Sequence, residues 1–179
     1  MPDPVLYLIG CTAPPVQHSA TAIKLAQEAG WDVCLVLTPR AARWLADEIP
    51  ALETLTGHPV RTDYKMPGEK DVLPPANAIL AAPITLNSLT KWALGIADEL
   101  ALGLLTEAIG KKLPVVALPY INAAQAEHPA LQGHIDVLER TGAKILLGDG
   151  GHIPHQPGRG NATAFPWHTA LKALDGARG

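Results

Sequence analysis

Three short polar turns carry the side chains best suited to chemistry. Gly10 and Thr12 follow the apolar run at residues 5–9, Thr38 follows the run at 31–37, and Pro83, Thr85, Asn87 and Ser88 follow the all-apolar run at 78–82. Hydroxyls and carboxamides donate to phosphate oxygens and to the polar edge of a planar ring. Open α/β sheets gather such groups in the crevice outside the carboxyl ends of their strands. The competing expectation is that Thr and Ser at these places only cap the helices that follow. Asn122, near Tyr120 at the end of the apolar run 113–118, can donate and accept at once, which suits a substrate carboxylate or amide. Capping a helix from Ala123 is its plain alternative.

Several other chemistries lack their signatures. No Gly-x-Gly-x-x-Gly opens a helix after the first strand and no Gly-Lys-Ser/Thr is present, so dinucleotide and nucleoside-triphosphate fingerprints are missing and a different phosphate-bearing cofactor is favoured. His152 and His155 lie in the Gly-rich stretch 148–160 without a third ligand at useful spacing. The expectation there is solvated imidazoles on a mobile loop and no metal. No Gly-x-Ser-x-Gly elbow announces a serine nucleophile. Trp92 follows the third polar turn closely enough to line a pocket.

These turns need a scaffold, and the pattern supplies one. Strands are expected at 5–9, 31–37, 78–82, 113–118 and 143–147, with Pro83 stopping the third, and a possible edge strand at 60–62. Helical spacing fills 16–29 and 40–49, a short helix falls at 52–56, and a long helix opens at Leu89 and closes over 107–112. Two short helices divide 123–140 at Pro129, and 165–174 closes the chain. The stretches 65–75 and 148–164 read as turn-rich, the second as a flexible lid. Strands alternating with helices argue for βαβ units, an α/β fold with a central parallel sheet.

Composition sets the outer limits. At 179 residues the chain is expected to be a single domain with a core of its own, burying roughly 70% of its unfolded surface. A formal net charge of −3 without a basic stripe makes nucleic acid a poor partner. Cys11 and Cys34, each at an apolar run, read as buried thiols in a reducing compartment. With no signal peptide and no uncharged stretch of membrane-spanning length, a cytoplasmic location is expected. Hydrophobic residues at 47% against 17% charged point to surface hidden by self-association.

The run Pro83-Ile84-Thr85-Leu86-Asn87-Ser88, followed by Leu89-Thr90-Lys91 and Gly95-Ile96-Ala97-Asp98-Glu99-Leu100, resembles the Pro-Ala-Ser-Ala-Asn-Thr motif and downstream helix of the homo-oligomeric flavin-containing cysteine decarboxylases. That family includes phosphopantothenoylcysteine decarboxylase and peptidyl-cysteine decarboxylases. Val36-Leu37-Thr38-Pro39, Leu55-Thr56-Gly57-His58-Pro59-Val60 and Leu118-Pro119-Tyr120-Ile121-Asn122 are similar to it as well, the last to its Pro-x-Met-Asn motif. The resemblance implies a Rossmann-like or flavodoxin-like three-layer sandwich that binds FMN and assembles as a trimer or a multiple of trimers. Gly10, Thr12 and Thr38 would lie near the phosphate, and Pro83, Thr85, Asn87 and Ser88 near flavin and phosphate. The implied reaction oxidises a C-terminal cysteine of a peptide and releases its carboxylate, with Asn122 orienting that carboxylate.

Departures from the family are specific. Glu69 stands where the family places a catalytic His, which makes it the candidate base, Ile121 replaces the motif Met, and Ala123-Ala124-Gln125 replaces a Met-Trp pair. No cysteine lies beyond Cys34, whereas the phosphopantothenoylcysteine enzymes use one in a C-terminal flap. The resemblance therefore points away from the coenzyme A step and toward peptides. Its alternatives are a flavin-dependent oxidoreductase or flavin-binding protein that does not decarboxylate, and a Rossmann-like domain without flavin.

Overall fold

The computed structural model describes residues 2–175. Five strands, β1 Val5–Gly10, β2 Asp32–Leu37, β3 Ala78–Ile84, β4 Val115–Pro119 and β5 Lys144–Ile145, pair in parallel in the order β2-β1-β3-β4-β5. That is the doubly wound flavodoxin-like order, whose direction of winding switches between β1 and β3.

Side-chain alternation builds two cores. Leu6, Leu8, Val33, Leu35, Leu80 and Val116 face one way, against α1 (Ser19–Glu28), α3 (Ile49–Thr56) and α8 (Trp167–Leu174). Ile9, Val36, Ile79, Ala81, Val115 and Ala117 face the other, against α4 (Leu86–Ala93), α5 (Leu100–Lys111) and α7 (Leu131–Arg140). With helices on both faces the sheet is buried twice over, the reason its strands read as unbroken apolar runs. The three-layer α/β sandwich expected above is the fold observed.

Three boundaries differ from the sequence expectation. Pro83 does not stop β3: the strand continues to Ile84, and the register slips between Ala81, opposite Ala117, and Ile84, opposite Pro119. Two residues of β3 therefore face one of β4, a bulge that reverses the alternation beyond it, so Ala82 follows Leu80 into the first core while Ile84 falls in the second. The helix then opens at Leu86 rather than Leu89, because Thr85 caps it and draws Asn87 and Ser88 into its first turn. Nor is there one long helix to Lys112. Gly95 takes a left-handed φ of 74° and Ile96 N–H returns to the Lys91 carbonyl, ending α4 before α5 begins.

Elsewhere the edges are shorter than expected. The helical stretch 40–49 splits into α2 Pro39–Trp44 and the start of α3, and the edge strand at 60–62 is one bridge, Arg61 beside Val36. The stretch 123–140 is indeed two helices, α6 Ala123–Ala126 and α7.

Candidate functional site

The carboxyl ends of four adjacent strands form one rim. Thr38 N–H donates to the Gly10 carbonyl at 3.0 Å, which ties the end of β2 to the end of β1. Cys11 N–H donates to the Pro83 carbonyl at 2.9 Å, tying β1 to β3, and Tyr120 N–H donates to the Ile84 carbonyl at 3.0 Å, tying β3 to β4. Thr38, Gly10 to Thr12, Pro83 to Ser88 and Tyr120 to Asn122 thus stand in spatial order, with about 10 Å between the ends of β1 and β4 at two strand spacings.

The hydroxyls serve as caps and still leave donors over. Thr38 Oγ1 accepts from Ala41 N–H at 3.4 Å as the cap of α2, and it lies 3.2 Å from Thr12 Oγ1. One proton bridges that pair, and the second is left for an acceptor above the rim. Thr85 Oγ1 accepts from Ser88 N–H at 3.1 Å and donates to Ser88 Oγ at 3.2 Å. Ser88 is buried and its Oγ accepts from Thr85, so its hydroxyl faces inward. Asn87 is exposed on the first turn of α4, and among the described residues its carboxamide has no hydrogen-bond partner.

Gly10 is required by packing. A Cβ there would meet Val16 Cγ2 at 2.8 Å and Leu37 Cδ2 at 2.9 Å, closer than real contacts allow. Burial pushes the Cys11 thiol up to about 11 and Cys34 up to about 12, so both are protonated and inert near neutrality.

Asn122 realises its capping alternative. Its Oδ1 accepts from Gln125 N–H at 2.8 Å while Gln125 Oε1 accepts from Asn122 N–H at 3.0 Å, a capping box that opens α6. Because Oδ1 is taken, the Nδ2 amino group is the part left over. Glu69 does not join this group. It is exposed in the 61–76 stretch, and its carboxylate accepts from Met66 N–H at 2.8 Å within its own turn.

The histidines overturn the expectation of solvated imidazoles. Gly148 N–H donates to the His152 carbonyl and Ala123 N–H to the His155 carbonyl at 2.7 Å, which lays the Gly-rich stretch along the end of β4. His152 is buried, donates from Nε2 to the Ile121 carbonyl at 3.1 Å, and has its pKa held below the ordinary value chiefly by burial. Tyr120 packs against both imidazoles at 4.8 and 4.7 Å, the imidazoles lie edge to face at 5.5 Å, and Phe165 is edge-on to Tyr120 at 5.8 Å. The sequence showed only a His-x-x-His spacing and a Tyr near Asn122, and the bridge between Asn122 and His155 is what unites them.

A cleft of 590 Å³ lies elsewhere, between the face of β1 and β3 and α5, walled by Tyr7, Arg61, Tyr64, Leu104 and Leu113. None of the rim residues lines it. Among the described residues no group of three or more His, Cys, Asp or Glu comes together as a metal site would require, and no helix is long and apolar enough to cross a membrane.

The rim fits a phosphorylated planar group. It offers a spare hydroxyl proton at Thr12 and Thr38 and the unbonded Asn87 amide, and none of its residues is acidic.

Comparison with known proteins agrees with the geometry. Residues 10–177 match the family described as Flavoprotein. The chain is 32% identical over 140 residues to the coenzyme A biosynthesis bifunctional protein CoaBC of Bacillus subtilis (strain 168), covering 75% of this chain and 33% of that protein. It therefore spans about a third of the length of the curated relatives it matches. Its fold is similar to the crystal structure of the FMN-dependent cysteine decarboxylase SpaF, with a TM-score of 0.69 and 23% identity over 96% of this chain and 97% of that one. It is also similar to the peptidyl-cysteine decarboxylase EpiD solved with a substrate peptide, DSYTC, with a TM-score of 0.66 and 20% identity over 80% of each chain.

Proposed function

The chain belongs to the Flavoprotein family, and on that premise we propose that it binds FMN and oxidatively decarboxylates a cysteine at the C-terminus of a peptide. The observation that carries this reading is the rim itself. A spare hydroxyl proton at the Thr12 and Thr38 pair, on the ends of β1 and β2, stands on the same rim as an uncommitted carboxylate donor at Asn122 beyond β4. Among similar structures, SpaF is an FMN-dependent cysteine decarboxylase and EpiD is complexed with a substrate peptide that ends in cysteine.

A bound flavin supplies the two-electron oxidation of the cysteine side chain to a thioaldehyde, and a thiocarbonyl β to a carboxylate is the electron sink that lets carbon dioxide leave. Thr12, Thr38, Thr85 and Asn87 hold the cofactor, with Gly10, Pro83 and Ser88 fixing the backbone beneath it. Asn122 Nδ2 orients the departing carboxylate. The exposed pair Leu94 and Ile96, between α4 and α5, is consistent with assembly into trimers, and the unpaired buried thiols with a cytoplasmic location.

One observation favours the second reading, a flavin-dependent redox or binding protein without decarboxylation. Glu69, the base that the family pattern offers, spends its hydrogen bonds inside its own turn. The test is to incubate the yellow purified protein with Cys-ended peptides and follow the mass. Loss of two hydrogens and carbon dioxide supports the decarboxylase, and Asn122→Asp, which keeps the cap, should abolish that loss while flavin stays bound. Oxidation or binding without loss of carbon dioxide selects the second reading.

A further inference from the structure

We infer that Tyr120 and His155 join Asn122 in a recognition site for a carboxylate, built of three neutral hydrogen-bond donors at the end of β4. The inference rests on the function proposed above only in naming that carboxylate as the C-terminus of a peptide.

The donor sense of each group is set by its neighbours. Asn122 Oδ1 is held by Gln125 N–H, which fixes the carboxamide and leaves both hydrogens of Nδ2 without a partner. A backbone carbonyl can only accept, so the bond to Ile121 places the proton of His152 on Nε2. That same Nε2 lies 3.4 Å from His155 Nδ1, which must then present a lone pair, since two N–H groups facing each other would repel. Neutral His155 consequently carries its proton on Nε2, at the far side of the ring. Tyr120 is nine-tenths buried, its ring packed against both imidazoles, and among the described residues its hydroxyl has no partner.

The three groups also share a direction. Asn122 is extended, so Tyr120, two residues earlier, faces the same side. His155 is the bridge partner of Asn122, and bridge partners project together. A Cβ on Gly160 would collide with the Tyr120 hydroxyl and come within 2.9 Å of His155 Nε2, so the two donors converge on the one place that a bare glycine leaves to them. Three donors without an acidic group among them suit an anion, and donors that converge suit the two oxygens of a carboxylate.

The experiment measures affinity of the purified protein, as isolated, for four probes. These are a pentapeptide ending in cysteine as free acid and as amide, and the same pair ending in serine. The wild type is expected to prefer acid to amide at least about tenfold for both terminal residues, the effect of one charged hydrogen bond. Tyr120→Phe and His155→Phe should each lower that preference about three- to tenfold with amide affinity unchanged, and His155→Gln, which restores a donor, should recover part of it. Circular dichroism confirms that each variant folds. A wild-type preference that both Phe variants retain overturns the inference and leaves the function proposed above standing. Loss of preference in the Phe variants for both peptide pairs, without decarboxylation of the cysteine peptide, supports the site and refutes that function. Equal affinity for acid and amide, no binding of any probe, or displacement of the acid by equimolar inorganic phosphate each overturns the carboxylate site.

Discussion

Thr12 and Thr38 make the same predicted contact with a phosphate but do different work in the apo fold, and that difference can be measured. Replacing either by Val keeps the β-branched shape and deletes the hydroxyl. In Thr38→Val the cap of α2 goes too, since Thr38 Oγ1 accepts from Ala41 N–H, and loss of such a cap costs about 1 kcal/mol. Thr12 caps no helix, and its hydroxyl bonds only that of Thr38, so Thr12→Val should change stability by less than about 0.5 kcal/mol. Toward the cofactor the two should be alike. A bound phosphate would draw both hydroxyls away from their mutual bond, and a hydrogen bond to a charged phosphate contributes about 1.5 to 3 kcal/mol, so either variant should weaken FMN binding roughly 10- to 150-fold. Riboflavin, which lacks the phosphate, should bind both variants as it binds the wild type. The assay is quenching of flavin fluorescence on titration with apoprotein, beside urea unfolding of the same samples. If Thr12→Val binds FMN as tightly as the wild type, or loses FMN and riboflavin equally, the phosphate does not sit at this rim and the reasoning fails.

Further outcomes follow from other residues. Gly10→Ala should destabilise by about 1 to 3 kcal/mol, read as a lower urea midpoint, because its methyl meets Val16 and Leu37 at 2.8 and 2.9 Å; a neutral result would mean that the strand end yields more easily than its packing suggests. Cys11 and Cys34 should resist a thiol reagent at pH 8 in the folded protein and react quickly in guanidinium, as thiols raised to about 11 and 12 require. Fast labelling of the native state would contradict their burial. Burial lowers the pKa of His152, so below the ordinary histidine value of about 6.5 the unfolded chain takes up a proton that the folded one refuses. Stability should therefore fall as pH drops below about 6.5, and His152→Gln should flatten that slope; an unchanged slope would show that His152 is not its source.

The layout of the rim was legible because it depends on local signals. Apolar runs 5–9, 31–37, 78–82 and 113–118 gave the strands, and the small polar residues after them were placed on one edge by the general geometry of parallel sheets. Capping and binding had been set against each other as rival explanations of Thr38, Thr85 and Asn122, yet Thr38 and Asn122 can cap with their oxygens and still present a hydrogen, while Thr85 spends its own on Ser88. What escaped was non-local. The partner of Asn122 lies 33 positions along the chain, at His155, inside a stretch whose glycines suggested solvent. The burial of His152 depends on Tyr120 and Phe165, which no spacing rule connects to it. Pro83 misled for the opposite reason: a residue that ordinarily ends strands sits here in a bulge, where its missing N–H leaves no ladder bond unmade.

That bulge makes this part of the protein sensitive to counting rather than to composition. Many apolar residues could stand at Ala82 without disturbing the groups beyond it, and removal of the one surplus residue between Ala81 and Ile84 would restore the ordinary pleat with Ile84 two places after Ala81 and still on its layer. Loss of both residues would instead set Ile84 directly after Ala81 and turn it to the opposite layer, and Thr85 could no longer stand where it meets Ser88. A chain shortened by one here is therefore expected to keep the site, whereas one shortened by two should silence it while leaving most of the hydrophobic interior able to assemble.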